Sequence, residues 1–274
     1  MNLKDVFELY ENVKDDMKFY NGSEVRTRIL ISLSGGSKNL KDIRKELHLP
    51  SATILHAMIQ LEKKGLIFRE PGNYSLSQIG EIVTNKLVDM MKAINSLKMC
   101  ESLFLNHEID CIPPSLIKDV GCLSNARIIK STPTDVLKPH TTFSNLLSKA
   151  KNVKHLSSVY YPQNTELFVN VLEKKGKAKF VFTKEVLNKL IESNDIERLK
   201  KSASSENLKL WSVDNNMKIF LTIGDDFVAM GLFLTEGGYD LSLFMVSEGE
   251  ESISWGNRLF NHYLVNAQEI ELNN

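Results

Sequence analysis

His56 and Gln60 stand one helical turn apart in a segment whose other polar residues are mostly hydroxyls and cations. An imidazole and an amide can each match the donor and acceptor pattern that a base pair shows in the major groove, so both are candidates for base edges. Ser51, Thr53, Lys38 and Asn39 suit phosphate oxygens instead, through hydroxyls and the N–H groups of helix starts. Lys63 lies on the same face as His56 and Gln60, and Arg69 is placed to reach the minor groove or its phosphates. A lone surface histidine is most often just solvated. The weight given to His56 comes from where it sits.

The surrounding pattern puts these residues on one face. NLKDIRKELH, residues 39–48, carries Leu40, Ile43 and Leu47 at i, i+3, i+7, with Asn39 as N-cap and Asp42 in the first turn. Leu49-Pro50 stops this helix, because a residue before proline disfavours the helical region. In SATILHAMIQLEKKG, residues 51–65, Ile54, Met58 and Leu61 face inward and Gly65 supplies the break. That leaves Ser51, Ala52, Leu55, His56, Ile59, Gln60 and Lys63 facing out. LIFRE and YSLS flank a Pro71-Gly72-Asn73 turn and read as a two-stranded wing. Helix, turn, helix and hairpin form the order that docks on duplex DNA with the second helix in the major groove.

Leu47-x-Leu49, Leu61-Glu62-x-x-Gly65-Leu66-Ile67 and Tyr74-x-Leu76-Ser77-x-x-Gly80 together resemble the winged helix-turn-helix of archaeal and bacterial transcription factors, with Ser77 where a threonine is common. Further on, Gly237-Gly238-Tyr239-Asp240 and Trp255-Gly256-x-x-Leu259-Phe260-x-x-Tyr263 resemble the effector domain of the methanogenesis or filamentation regulatory proteins of methanogens. The two resemblances span roughly residues 20–265. They imply a transcriptional regulator acting on genes of methanogen energy metabolism.

Net charge is zero over 274 residues, which by itself speaks against a nucleic-acid partner. The count is uneven, however: residues 23–70 hold nine basic side chains against five acidic, a local excess of +4. Such a face predicts salt-sensitive binding with little long-range steering. No apolar run reaches the ~18 residues of a membrane span, so Met1–Tyr20 is expected to be an amphipathic helix rather than an anchor or signal peptide. Three cysteines in a charged chain fit a reducing interior, and a cytoplasmic protein is expected.

The expected organisation is an N-terminal helix (1–22), a winged helix-turn-helix (23–77), linker and dimerisation helices (78–112) and an α/β effector domain (113–274), with Pro113-Pro114 at the last junction. Residues 78–109 form a long amphipathic stretch broken near Cys100, whose apolar face exceeds what one small domain covers and so suggests a homodimer. After it, strands at 126–132, 153–160 and 178–183 alternate with helices. An antiparallel run then leads to a closing helix from Ser254 to Gln268. The fold class is thus α+β with an α/β part: a winged helix followed by a three-layer α/β domain with a mixed sheet. Its layout is similar to sugar-responsive archaeal regulators built on degenerate phospholipase D folds, an analogy of fold only.

Cys100, Cys111 and Cys122 recur every eleven residues with His107 among them, yet the tight CxxC pair usual for zinc is absent, and incidental thiols are the better reading over a redox switch. No GxSxG, Walker loop or phospholipase-type HxK pair is present, Gly35-Gly36-Ser37-Lys38 lacks a preceding strand, and Asp225-Asp226 read as solvated turn carboxylates. No catalytic residue, metal or cofactor is therefore assigned. Tyr160 and Tyr161 follow a strand of an α/β sheet, where ligands tend to bind, and are the candidate pocket wall. The sequence points to double-stranded DNA as partner, a homodimer, and a small-molecule effector or assembly signal at the C-terminal domain, with no membrane. The alternatives are a winged-helix scaffold for protein contacts, and a C-terminal domain with residual phosphodiesterase-type activity.

Overall fold

The computed structural model describes residues 2–203 and 207–271. They divide into two compact units, Met1–Met90 and Met91–Asn274. The division falls inside one helix, upstream of Pro113-Pro114, which open a short helix of the second unit.

The first unit starts with α1 (Leu3–Asn21), whose Asn2 and Asp5 form a reciprocal capping box; Met1 lies outside the described residues. It continues through α2 (Glu24–Ser34), capped by Ser23, then α3 (Leu40–Leu47), capped by Asn39, and α4 (Ser51–Lys63). His48 ends α3 in the left-handed region at φ 53°, and Gly65 does the same beyond α4 at φ 68°. Ile29, Leu33, Ile43, Leu47, Ile54, Met58 and Leu61 close the core between these helices, as their spacing predicts. The wing is β1 (Ile67–Glu70) against β2 (Asn73–Leu76), with Glu70 opposite Asn73. Asn73 therefore belongs to the strand, and the turn is Pro71-Gly72 alone. Proline presets the first turn position and glycine takes the positive φ of 84° at the second. Lys38 pairs its backbone with Tyr74 and adds a third short edge to the wing.

The helix α5 (Gln78–Met99) begins in the first unit and ends at Cys100, where the predicted break occurs before α6 (Glu101–Asn106). The second unit then runs α7 (Pro114–Lys118), a 3-10 turn (Val120–Leu123), β3 (Arg127–Lys130), α8 (Lys138–Leu147), β4 (Asn152–Ser157), α9 (Pro162–Glu173), β5 (Lys177–Thr183), α10 (Lys184–Glu192) and α11 (Asp195–Ser202). β6 (Leu208–Val213), β7 (Ile219–Ile223), β8 (Phe227–Leu232), β9 (Leu243–Glu248), α12 (Glu250–Leu264) and β10 (Gln268–Glu269) complete it. The sheet order is β10-β6-β5-β4-β7-β8-β9-β3, parallel through β4, β5 and β6 and antiparallel elsewhere.

Successive strand residues feed opposite cores. Phe227 and Ala229 of β8 join Phe180, Phe182 and the apolar faces of α8 to α11; Val228, Met230 and Leu232 join Leu103, Leu116, Trp255 and Leu259 on the other side. The result is the expected three-layer domain with a mixed sheet.

Two details depart from the sequence reading. The closing helix spans Glu250–Leu264, four residues earlier than expected, because Gly249 at φ 100° launches it and Glu250 and Glu251 suit its first turn. Gln268 is consequently free to pair with Ser212 at the sheet edge. Asp225 is exposed on its turn as expected, but it is engaged and not free. It accepts from the Lys151 and Asn152 N–H groups and from Asn152 Nδ2, at 2.6, 3.1 and 2.7 Å, tying the β7–β8 turn to the start of β4.

Candidate functional site

On α4 the inward set leaves Leu55, His56, Ile59 and Lys63 exposed and Gln60 half-buried. The Gln60 amide is fixed at both ends. Arg26 Nη1 donates to its Oε1 at 2.7 Å, so its Nε2 points to His56 Nε2 at 3.0 Å, an arrangement that puts the ring proton on Nδ1. Arg26 is itself held by the Phe19 carbonyl at 2.8 Å and by stacking 4.2 Å over the Phe19 ring. Its Nε is buried without a partner. A chain of polar contacts from α2 thus orients the side chains on α4, and His56 is its exposed end. Arg26 has no sequence signal for this role, since it lies 34 residues from its partner.

The expected phosphate contacts separate into two groups. Asn39 spends its side chain as N-cap, accepting from Asp42 N at 2.9 Å. Lys38 is drawn to Glu46 at 2.5 Å, and that ion pair, with Ser32, holds the Glu46 carboxyl below its ordinary range. Ser51 and Thr53 occupy the first turn of α4, half-buried and exposed, with no side-chain cap in the way of its N–H groups. Lys63 and Arg69 are exposed, and Arg69 lies 5.7 Å over the Tyr74 ring of the wing. Lys41, Arg44 and Lys45, all exposed on α3, extend the basic surface that the sequence reading did not assign. Lys64 is answered by Asp16 at 2.7 Å.

In the second unit a cavity of about 300 Å³ opens beyond the carboxyl ends of β3, β4 and β8. Phe143, Phe220, Leu243 and Phe244 form its floor, and Val136, Leu137 and Leu241 its rim. Tyr161 lines it, in edge contact with His140 at 5.6 Å, whereas Tyr160 turns away and donates to Asp195 at 2.8 Å. Tyr239 and Asp240, from the glycine-rich turn motif, form another wall. A Cβ at Gly231 would stand 2.1 Å from the Tyr239 hydroxyl, so glycine is what admits that ring. Burial opposes ionisation of Asp240, but the Ser242 hydroxyl and N–H, at 2.6 and 2.8 Å, and His107 Nε2 at 3.2 Å outweigh it and keep the carboxyl below its usual range.

The three cysteines are free thiols. Burial raises Cys100 to about 11 and Cys111 to about 12, and also raises Cys122. Thiolate chemistry is disfavoured at each. Among the described residues no cluster of three metal-ligating side chains occurs, and no helix is long and apolar enough to cross a membrane.

A winged helix-turn-helix joined to a three-layer α/β domain defines the class. Residues 14–95 match the family model described as Methanogenesis regulatory protein FilR1, N-terminal domain, and residues 136–266 match that of its middle domain. The chain belongs to this family of FilR1-like archaeal regulators. It is 26% identical over 261 residues to the methanogenesis regulatory protein FilR1 of Methanothrix harundinacea (strain 6Ac), covering 93% of this chain and 58% of that protein. The chain thus spans just over half the length of that relative. Among solved structures it is similar to TrmBL2, an archaeal chromatin protein, with a TM-score of 0.42 and 16% identity over 90% of this chain and 94% of that one. A second likeness is to Nuc from Salmonella typhimurium, a phospholipase D family member, with a TM-score of 0.41 and 11% identity over 53% of this chain and 99% of the other. Both likenesses are remote.

Proposed function

We propose that the chain is a sequence-specific DNA-binding transcriptional regulator. The observation that carries this is the outward face of α4, where Arg26 and Gln60 orient an exposed His56, in a unit that also exposes the cations of α3 and Arg69 of the wing. His56, with Gln60 behind it, reads base edges; Ser51, Thr53, Lys63 and Arg69, with the exposed cations of α3, meet phosphates. Lys38 and Asn39 contribute through the helix start they organise. The chain acts as a homodimer on a two-fold operator, since a single reading head gives limited specificity; the exposed Ile79, Ile82, Met90, Ile94 and Leu97 of α5 supply apolar surface for the pairing. The α/β unit is the effector domain, without enzymatic activity, and its cavity at Tyr161 receives the signal. A ligand that prefers one arrangement of the dimer shifts its population and so changes operator affinity through α5.

The test is fluorescence-anisotropy binding to the protein's own promoter fragment over a salt series, against a scrambled duplex. Preferential binding to the promoter that weakens as salt rises is the expected outcome. Equal or absent binding to both duplexes would overturn it and favour a protein-contact role. That second reading draws on Leu55 and Ile59, 37% and 62% exposed on the same face.

Gln60→Ala is expected to relax discrimination at one operator position by ~1–3 kcal/mol. It also strips the Arg26 guanidinium of a partner, costing about 1 kcal/mol of stability. Anisotropy with single-base operator variants separates the two effects. Uniform weakening on every duplex would rule Gln60 out as part of the reading head.

A further inference from the structure

The cavity beside Tyr161 has a chemistry that restricts what it can hold. Its floor and rim are apolar, and no lysine or arginine lines it. Its one carboxylate, Asp240, has both oxygens already engaged by Ser242 and His107. A phosphate or carboxylate would meet that carboxylate with no lysine or arginine on the wall to answer it, at a site where the surrounding apolar wall weakens screening. A sugar would bury many hydroxyls against phenylalanine and leucine.

His140, Tyr161, Tyr239 and Asn164 line the cavity without a side-chain hydrogen bond among the described residues, and Asn164 is the buried one of the four. Asn164, only 7% exposed, lines the space, and its side-chain amide has no hydrogen bond among the described residues. Its amide atoms reach the cavity space and not a protein partner, so they mark a place where an external group can complete the hydrogen bonding. Leu137 and Leu241, 61% and 62% exposed at the mouth, are apolar side chains that a ligand of matching character would cover.

We propose that this cavity binds an uncharged, largely apolar molecule carrying one hydrogen-bonding group, which Asn164 recognises. That the ligand is the effector rests on the function proposed above; the binding itself does not.

The full chain is titrated with N-phenyl-1-naphthylamine, an uncharged fluorescent probe, and the bound probe is then displaced with indole-3-acetamide, indole-3-acetate, 3-methylindole or glucose. The expected result is saturable probe binding, displaced by the amide at a concentration at least about tenfold below that needed for the carboxylate, with no displacement by glucose. Leu137→Asp, a change at an exposed rim position, is expected to weaken the probe at least about tenfold without changing the melting temperature. Asn164→Leu is expected to keep probe binding and abolish the preference for the amide over 3-methylindole. Displacement by the carboxylate as readily as by the amide, or an unaltered probe affinity in Leu137→Asp, would overturn the proposal. Promoter anisotropy on the same samples keeps the two readings apart. Promoter binding without this ligand profile removes the cavity proposal alone, and the ligand profile without promoter binding removes the regulator reading alone.

Discussion

Gly80→Ala is expected to destabilise the winged-helix unit by about 3 kcal/mol or more and to abolish DNA binding with it. The junction between wing and α5 explains why. Ser77 donates its N–H to the Leu66 carbonyl at 2.9 Å and its hydroxyl to the Gly65 carbonyl at 2.5 Å, while the same hydroxyl accepts from Gly80 N at 3.0 Å. These contacts draw the first turn of α5 against the strand that leaves α4. A Cβ on Gly80 would stand 1.8 Å from the Leu66 oxygen and 2.8 Å from its carbonyl carbon. Both are backbone atoms in a hydrogen-bonded corner, so neither can yield cheaply. The clash must open the corner that seats α5, and with it the wing that carries Arg69. Denaturant unfolding measures the loss. Gly35→Ala is the control, since its Cβ would meet nothing nearer than 3.6 Å at an ordinary φ of −81°, and a change within about 1 kcal/mol is expected there. A Gly80→Ala protein with wild-type stability would show that this junction is not tight.

The same corner shows what a sequence can and cannot disclose. The Tyr74-x-Leu76-Ser77-x-x-Gly80 spacing is visible as a pattern, but that Ser77 caps α5 and Gly80 clears a carbonyl follows only from where Leu66 comes to lie. Local signals carried most of the elements: Ser23 and Asn39 as caps, Pro50 as a stop, Gly65 as a break, and the i, i+4, i+7 rows of α4. They also carried the three-layer class, because strands and helices alternate before the antiparallel run. What they left open depends on long-range proximity. Every residue of β8 is buried, so period-2 reasoning could not say which faced which core. Nothing local distinguishes Tyr160 from Tyr161, although one packs on Asp195 and the other faces the cavity. Asn164 looks like an ordinary residue in the first turn of a helix. Its lack of an internal partner appears only once α9 has packed against α8, α11 and β5.

Lowering the pH from about 6.5 to about 5 is expected to cost the α/β unit about 2 kcal/mol, through His155. This side chain lies in the middle of the sheet domain, its ring 4.8 to 6.1 Å from those of Phe168, Phe180, Phe182 and Phe220, and its Nδ1 is 2.8 Å from Thr222 Oγ1. Burial among four phenylalanines penalises the imidazolium and lowers its pKa from 6.5 to about 3, against a smaller opposing pull from the Leu221 backbone. The unfolded chain therefore takes up a proton that the folded one refuses. Stability from this group is complete above about 6.5, falls by about 1.4 kcal/mol per pH unit below that, and levels off near pH 3. The carboxylates of this unit held low in the fold, Asp195, Asp214, Asp225 and Asp240, act in a different window: their contribution is complete above 3.8 and is lost below it. Between about pH 4 and 6.5 the slope thus belongs chiefly to His155. Chemical denaturation of wild type and His155→Leu at several pH values across that interval checks it. The variant should lose most of the slope whatever its stability at neutral pH, because it has no proton to gain on unfolding. An unchanged slope in His155→Leu would place the acid sensitivity elsewhere.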